Sequence, residues 1–158
     1  MPNPSPGARI HTWWNRLQPL PFGTWLFSRM VGVMVPYTGS IGAHIRELAP
    51  GQARVTLRDR RKVRNHLDCV HAVALINLGE VTSGLAMMTA LPPGVRGIVT
   101  GLSVEYLKKA RGTLTARSTP TVPPVRATVE TVVVADIEDS AGEVVARTHV
   151  TWRLSPPA

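Results

Sequence analysis

The chain has 158 residues, 44% hydrophobic and 18% charged, which suits one soluble globular domain with a sizeable core. Eighteen basic against ten acidic side chains give a formal charge of +8, so negatively charged partners are expected. The basic residues are not interleaved with aromatics and no nucleic-acid-binding signature is present, so nucleic acid is not expected among them; the single cysteine, Cys69, excludes an internal disulfide and suits a reducing compartment.

The opening MPNPSPG is Pro-rich and reads as loose over residues 1–7. It lacks the charged-then-apolar build of a secretory leader, and a cytoplasmic protein is expected. Two short helices are predicted, over residues 11–17 and 22–33, separated by the breakers Pro19 and Pro21. The apolar piece 24–35 is interrupted by Arg29 and too short to span a bilayer, so no stable membrane insertion is expected. Residues 1–40 read as a helical extension, rich in Trp13, Trp14, Trp25 and Phe27, that packs on a main body spanning 41–158.

From Ile41 the hydrophobic period becomes two. Residues 41–48 and 52–58, joined at Pro50-Gly51, read as a hairpin, with Val55 and Leu57 inward and Arg54, Thr56 and Arg58 outward. Residues 64–88 then form a helix-length segment that is apolar on nearly every side, which requires cover all round. Glu80 stands in its middle. An unpaired buried carboxylate costs several kcal/mol, so such a group is paired, protonated or at work.

The Leu91-Pro92-Pro93-Gly94 break ends this helix, and strands follow over 97–107, 113–118, 125–137 and 143–154. In the last, Val144, Ala146, Thr148, Val150, Trp152 and Leu154 alternate with Arg147, His149, Thr151 and Arg153. Strands on both sides of one apolar helix imply an α+β fold, a curved antiparallel sheet wrapped around a long central helix. A second copy would cover what the sheet leaves open, so a homodimer, or a dimer of such dimers, is expected.

The order Asn65, His71, Glu80, the small run Gly84-Leu85-Ala86, and the strand end Tyr106-Leu107-Lys108-Lys109-Ala110-Arg111-Gly112 together resemble hotdog-fold acyl-CoA thioesterases of the phenylacetyl-CoA thioesterase-like kind. The N-terminal segment, with Leu20-Pro21-Phe22-Gly23 and Val35-Pro36-Tyr37-Thr38-Gly39, resembles a little-characterised bacterial branch of that fold. Two departures stand out: Ala72-Val73 replaces the usual Gly-Gly after the histidine, and Glu80 replaces the commoner aspartate.

The resemblance implies hydrolysis of an acyl-CoA thioester at a site shared by two subunits, with coenzyme A part of the substrate and no separate cofactor or metal. Glu80 is then the base or nucleophile, and Asn65 orients water or the carboxylate. With a helix start near Cys69, the His71 and Ala72 amides would form an oxyanion hole, at ~3–4 kcal/mol per donor. Val73, Thr82, Ser83 and Gly84 flank the substrate, and Lys108, Lys109 and Arg111 meet the coenzyme A phosphates. Nine residues separate His71 from Glu80, about two and a half turns and ~13.5 Å, so they project from opposite faces and only two antiparallel copies bring them to one carbonyl.

Plainer readings stand beside each role. His71 caps the helix, Glu80 pairs with an arginine or Asn77, Asn65 shapes a turn, and Thr82 and Ser83 satisfy the preceding turn. Lys108, Lys109 and Arg111 equally serve as exposed edge charges. The alternative function is a non-catalytic acyl-CoA- or lipid-binding hotdog protein.

Overall fold

The computed structural model describes residues 5–157. Three helices, α1 (Pro6–Leu17), α2 (Gly23–Met34) and α3 (Pro36–Ser40), precede the hairpin β1 (His44–Ala49) and β2 (Gln52–Leu57). A 3₁₀ turn over Arg61–Val63 leads to the central helix α4 (Ala72–Ala90). The strands β3 (Arg96–Tyr106), β4 (Leu114–Ser118), β5 (Val129–Glu138) and β6 (Val144–Ser155) complete the chain.

The six strands form one antiparallel sheet in the order β1-β2-β4-β5-β6-β3. The strand that leaves the helix, β3, therefore lies at one edge and β1 at the other. Along β6, Ala146, Thr148, Val150, Trp152 and Leu154 are buried while Arg147, His149, Thr151 and Arg153 are not, as the alternation predicts. On β2 the outward assignment of Thr56 is corrected: it is buried, and its hydroxyl accepts a hydrogen bond from Arg46 Nε at 3.1 Å.

Helix α4 is long and apolar enough to cross a bilayer by length and composition alone, yet here it is the core element, packed on β2, β4, β5 and α1. It approaches the sheet closely at Gly79. A Cβ there would lie 2.2 Å from Thr148 Oγ1 on β6, so only glycine lets the helix sit this deep. Cover is nevertheless incomplete, since Val73 is 47% exposed and Ile76, Glu80 and Met88 are half-buried.

The N-terminal helices belong to the same core. Trp14 of α1 and Phe27 of α2 meet edge to face at 5.1 Å and join the cluster that includes Leu78 of α4 and Leu114 of β4. The loose opening expected over residues 1–7 is corrected for Ser5–Gly7, while residues 1–4 lie outside the described residues. Ser5 Oγ accepts from the Ala8 amide and Pro6 occupies the first turn, so α1 begins five residues earlier than its apolar pattern suggests. Gly7 lies directly against the end of α4, where a Cβ would meet Met88 O at 1.8 Å. Ile41, read as the start of a strand, instead sits in the turn after α3, because Gly42 takes a positive φ of 62° and delays extended structure to His44.

Replacing Gly79 by Ala is expected to cost about 2 kcal/mol through overpacking against Thr148 and to lower the thermal midpoint by ~4–8 °C, as read by calorimetry. The paired change Gly79→Ala with Thr148→Ala should recover part of that loss.

Candidate functional site

The approach to α4 is a tight loop organised by Asn65. Its Oδ1 accepts from the Leu67 amide at 2.9 Å and from Cys69 Sγ at 3.3 Å, and its own amide donates to Cys69 O at 2.9 Å. Asp68 takes a positive φ of 54° to close the loop. Cys69 is 5% exposed and packs as the small buried residue its surroundings require. The oxygen of Asn65 is thus committed to the loop, while its Nδ2 has no partner among the described residues.

The expected helix start near Cys69 is corrected to Ala72, with His71 as the cap. His71 Nδ1 accepts from the Val73 amide at 3.1 Å, and its carbonyl accepts from the Ala74 and Leu75 amides. Its own N–H donates to Val63 O at 2.8 Å and so is not available to a substrate oxyanion. The Ala72 amide is the donor of this first turn left without a partner among the described residues, at the positive end of the helix. Tyr106, at the end of the edge strand, donates from its hydroxyl to Ala72 O at 3.2 Å and clasps the sheet to this turn; burial raises the phenol pKa. The strand-end motif contains Tyr106, but its contact with the helix start joins residues 34 apart and has no local signal.

Glu80 is half-buried on α4, and no hydrogen bond or ion pair to its carboxylate is found among the described residues. Burial alone raises its pKa above the ordinary value of 4.5. Asn77, the suggested alternative partner, donates instead to Tyr37 O at 3.1 Å. One turn on, a Cβ added to Gly84 would lie 4.0 Å from Glu80 Oε1 and 3.7 Å from Trp152 Cζ2, so this glycine marks where carboxylate and indole converge. Trp152 is 5% exposed and its Nε1–H is buried without a partner among the described residues. Sequence alternation places Trp152 inward but does not reveal that its indole lies across Gly84 from a carboxylate.

Other expected contacts are redirected. Thr82 and Ser83 are fully buried, their hydroxyls donating to Leu78 O at 2.7 Å and Glu80 O at 2.9 Å, the backbone-satisfying role. Lys108 pairs with Asp139 at 2.9 Å and with Glu143, and Arg111 donates to the carbonyls of Asp68 and Leu67. Both brace loops, which leaves the exposed Lys109 as the cation of that cluster without a partner among the described residues. A pocket of about 240 Å³ opens at the start of α4, lined by His71, Val73, Asn77, Tyr37 and Lys62 among others. Within one chain the structure brings Glu80, Gly84 and Trp152 together, and separately His71, Ala72 and Tyr106.

A curved antiparallel sheet wrapped on a central helix is the hotdog fold of the thioesterases. The chain belongs to the family described as a domain of unknown function, DUF4442, which matches residues 23–154. A crystal structure from a genomics programme is 34% identical, with a TM-score of 0.82 over 94% of this chain and 99% of that one. A protein of unknown function from Pseudomonas aeruginosa, described as a probable thioesterase, is 21% identical, with a TM-score of 0.74 over 86% and 96% of the two chains. A thioesterase from Haemophilus influenzae is 18% identical, with a TM-score of 0.66 over 76% and 82%. No curated protein matches the chain.

The Glu80 environment has a sign that stability measurements read. Its folded pKa lies above its unfolded value, so the folded state holds the proton to higher pH. The contribution of Glu80 to stability is therefore full below about pH 4.5 and falls as pH rises from there through the folded pKa. Glu80→Gln should abolish this fall, leaving the variant more stable than the parent at neutral pH in urea titrations. Identical pH slopes for the two proteins would show that the carboxylate is solvated.

Proposed function

We infer that this protein hydrolyses acyl-CoA thioesters as a homodimer in the cytoplasm, with Glu80 as general base. The observation that carries the reading is a half-buried carboxylate, unpartnered among the described residues, with its pKa raised by burial, on the core helix of a hotdog fold. Structural likeness to proteins described as thioesterases supports the same class of chemistry.

In one chain the Ala72 amide lies at the start of α4 and Glu80 about two turns further on, ~12 Å along the axis, so one helix does not serve one carbonyl. The free edge supplies the way round. Strand β3 presents an unpaired backbone edge and the exposed apolar side chains Ile98, Leu102 and Tyr106. Pairing two β3 edges about a two-fold axis buries these side chains and sets the two α4 helices antiparallel. Glu80 of one subunit then faces Ala72 of the partner subunit, and two such dimers stack into a tetramer if an apolar face remains.

Hydrolysis proceeds in two steps. Glu80 takes a proton from water as the water oxygen bonds to the thioester carbon, and the carbonyl electron pair moves onto oxygen against the Ala72 amide. The C–S bond then breaks, the proton passes from Glu80 to the departing thiolate, and free acid and coenzyme A leave. Asn65, through its unpartnered Nδ2, orients the water, while His71 fixes the first turn by capping it. Val73 and Gly84 border the substrate, and Lys109 meets the coenzyme A phosphates.

Glu80→Gln should lower kcat by about 10²–10⁴-fold on the best of a panel of short, medium, long and aromatic acyl-CoA esters, with the fold unchanged. Turnover with none of them by the parent protein would favour an acyl-CoA- or lipid-binding role instead. Leu102→Lys on the free edge should shift the protein to monomer in sedimentation and remove activity together with the dimer. A monomeric variant with full activity would sink the shared site.

A further inference from the structure

A cavity of about 660 Å³ lies between α2–α3 and the hairpin β1–β2, and Glu80 is not among its lining residues. That volume is within the ~300–1,000 Å³ typical of small-ligand sites. Five cations line it, Arg29, Arg46, Arg58, Arg60 and Lys62, and no carboxylate does. Outside the cleft, Arg54, Arg64, Lys108, Arg117, Arg147 and Arg153 each meet an acidic side chain. None of the five cleft cations has an acidic partner among the described residues. Five like charges in one concavity repel one another and focus a positive potential that a bound anion relieves.

Two of the guanidinium groups are held in place by neutral acceptors, which fixes their position without quenching their charge. Arg46 Nε donates to Thr56 Oγ1 at 3.1 Å, and Arg60 Nη2 donates to Ile41 O at 2.7 Å. The Arg60 arrangement depends on Gly42, since a Cβ there would stand 2.1 Å from that Nη2. Burial and the charge of Arg46 hold the nearby His44 imidazole below its usual pKa range. At the wall stands Trp25, 55% exposed, a flat surface on which a base can stack.

We propose that this cleft binds a nucleotide diphosphate group, the guanidinium forks of Arg46, Arg58 and Arg60 taking the phosphates and Trp25 the base. Planar guanidinium groups match phosphate oxygens two at a time, and a concavity of this volume suits a compact ligand rather than a polymer. The strand order sets the cleft near the β1 edge, opposite β3. Val81 of α4 also lines it, but none of the residues assigned to the hydrolysis does, and the site requires no step of that reaction.

Calorimetric titration of the full chain with ADP and with inorganic pyrophosphate tests the site. Each should bind once per chain, with affinity falling as salt rises through ~0.15 M. The double variant Arg58→Gln with Lys62→Gln removes two exposed charges that make no hydrogen bond among the described residues. It should weaken both ligands about tenfold or more, whereas Arg9→Gln on α1 should change neither. Trp25→Ala should weaken ADP and spare pyrophosphate. Desulfo-coenzyme A displacing ADP would make the occupant the nucleotide end of a thioester, and failure to displace would make it a free nucleotide; both outcomes sustain the site. No binding at millimolar ADP, equal affinity in the double variant, or tighter binding of a DNA duplex than of ADP would overturn it. Because ADP binding should persist in Glu80→Gln, loss of the hydrolase reading and loss of this site are distinguishable.

Discussion

A helix with no polar stripe cannot rest on a surface; it must be enclosed. Most of this architecture answers that demand. The sheet curls so that β2, β4, β5 and β6 reach α4, and α1 packs on it as well. Gly79 lets the backbone of the helix approach Thr148 closely enough for the curl to fit. The N-terminal helices are therefore not an appendage: Trp14 and Phe27 complete a cluster that the strands alone leave unfilled.

Enclosure also sets the electrostatics. A carboxylate carried on such a helix loses water without gaining a partner, and Glu80 is in that position. The glycine one turn away keeps a space between the carboxylate and the indole of Trp152, whose N–H likewise has no partner among the described residues. Two unsatisfied polar groups of opposite character beside one small gap are costly to a fold, and that cost is characteristic of a place where a ligand completes the hydrogen bonding.

The strands and the central helix were legible because their signals are local. Period-two alternation from Ala146 to Leu154 and the Pro92-Pro93-Gly94 break leave little choice, and the observed strand starts lie within four residues of expectation. The start of α1 is hidden by the prolines around it, although Ser5-Pro6 is a good cap and first turn. The start of α4 is hard to read because histidine is an uncommon cap, and with Ala72 as its first residue the His71 amide bonds to Val63 instead of standing free as a donor. The roles of Lys108 and Arg111 were illegible for a different reason. Their partners, Asp139 and the loop carbonyls of Leu67 and Asp68, are distant in sequence and meet them only in the folded sheet. The cationic cleft is likewise a product of topology, gathering Arg29 from a helix, Arg46 from one strand and Lys62 from a turn.

The contact of Gly7 with Met88 O bears on how the chain is made. The first helix leaves the ribosome long before the turn of α4 against which it docks. At ~5–20 residues per second, the interval is on the order of ten seconds. Throughout it the aromatic faces of Trp14 and Phe27 have each other but not the cluster they finally join, which makes the nascent amino-terminal segment a natural client for a holdase until residue 88 has emerged.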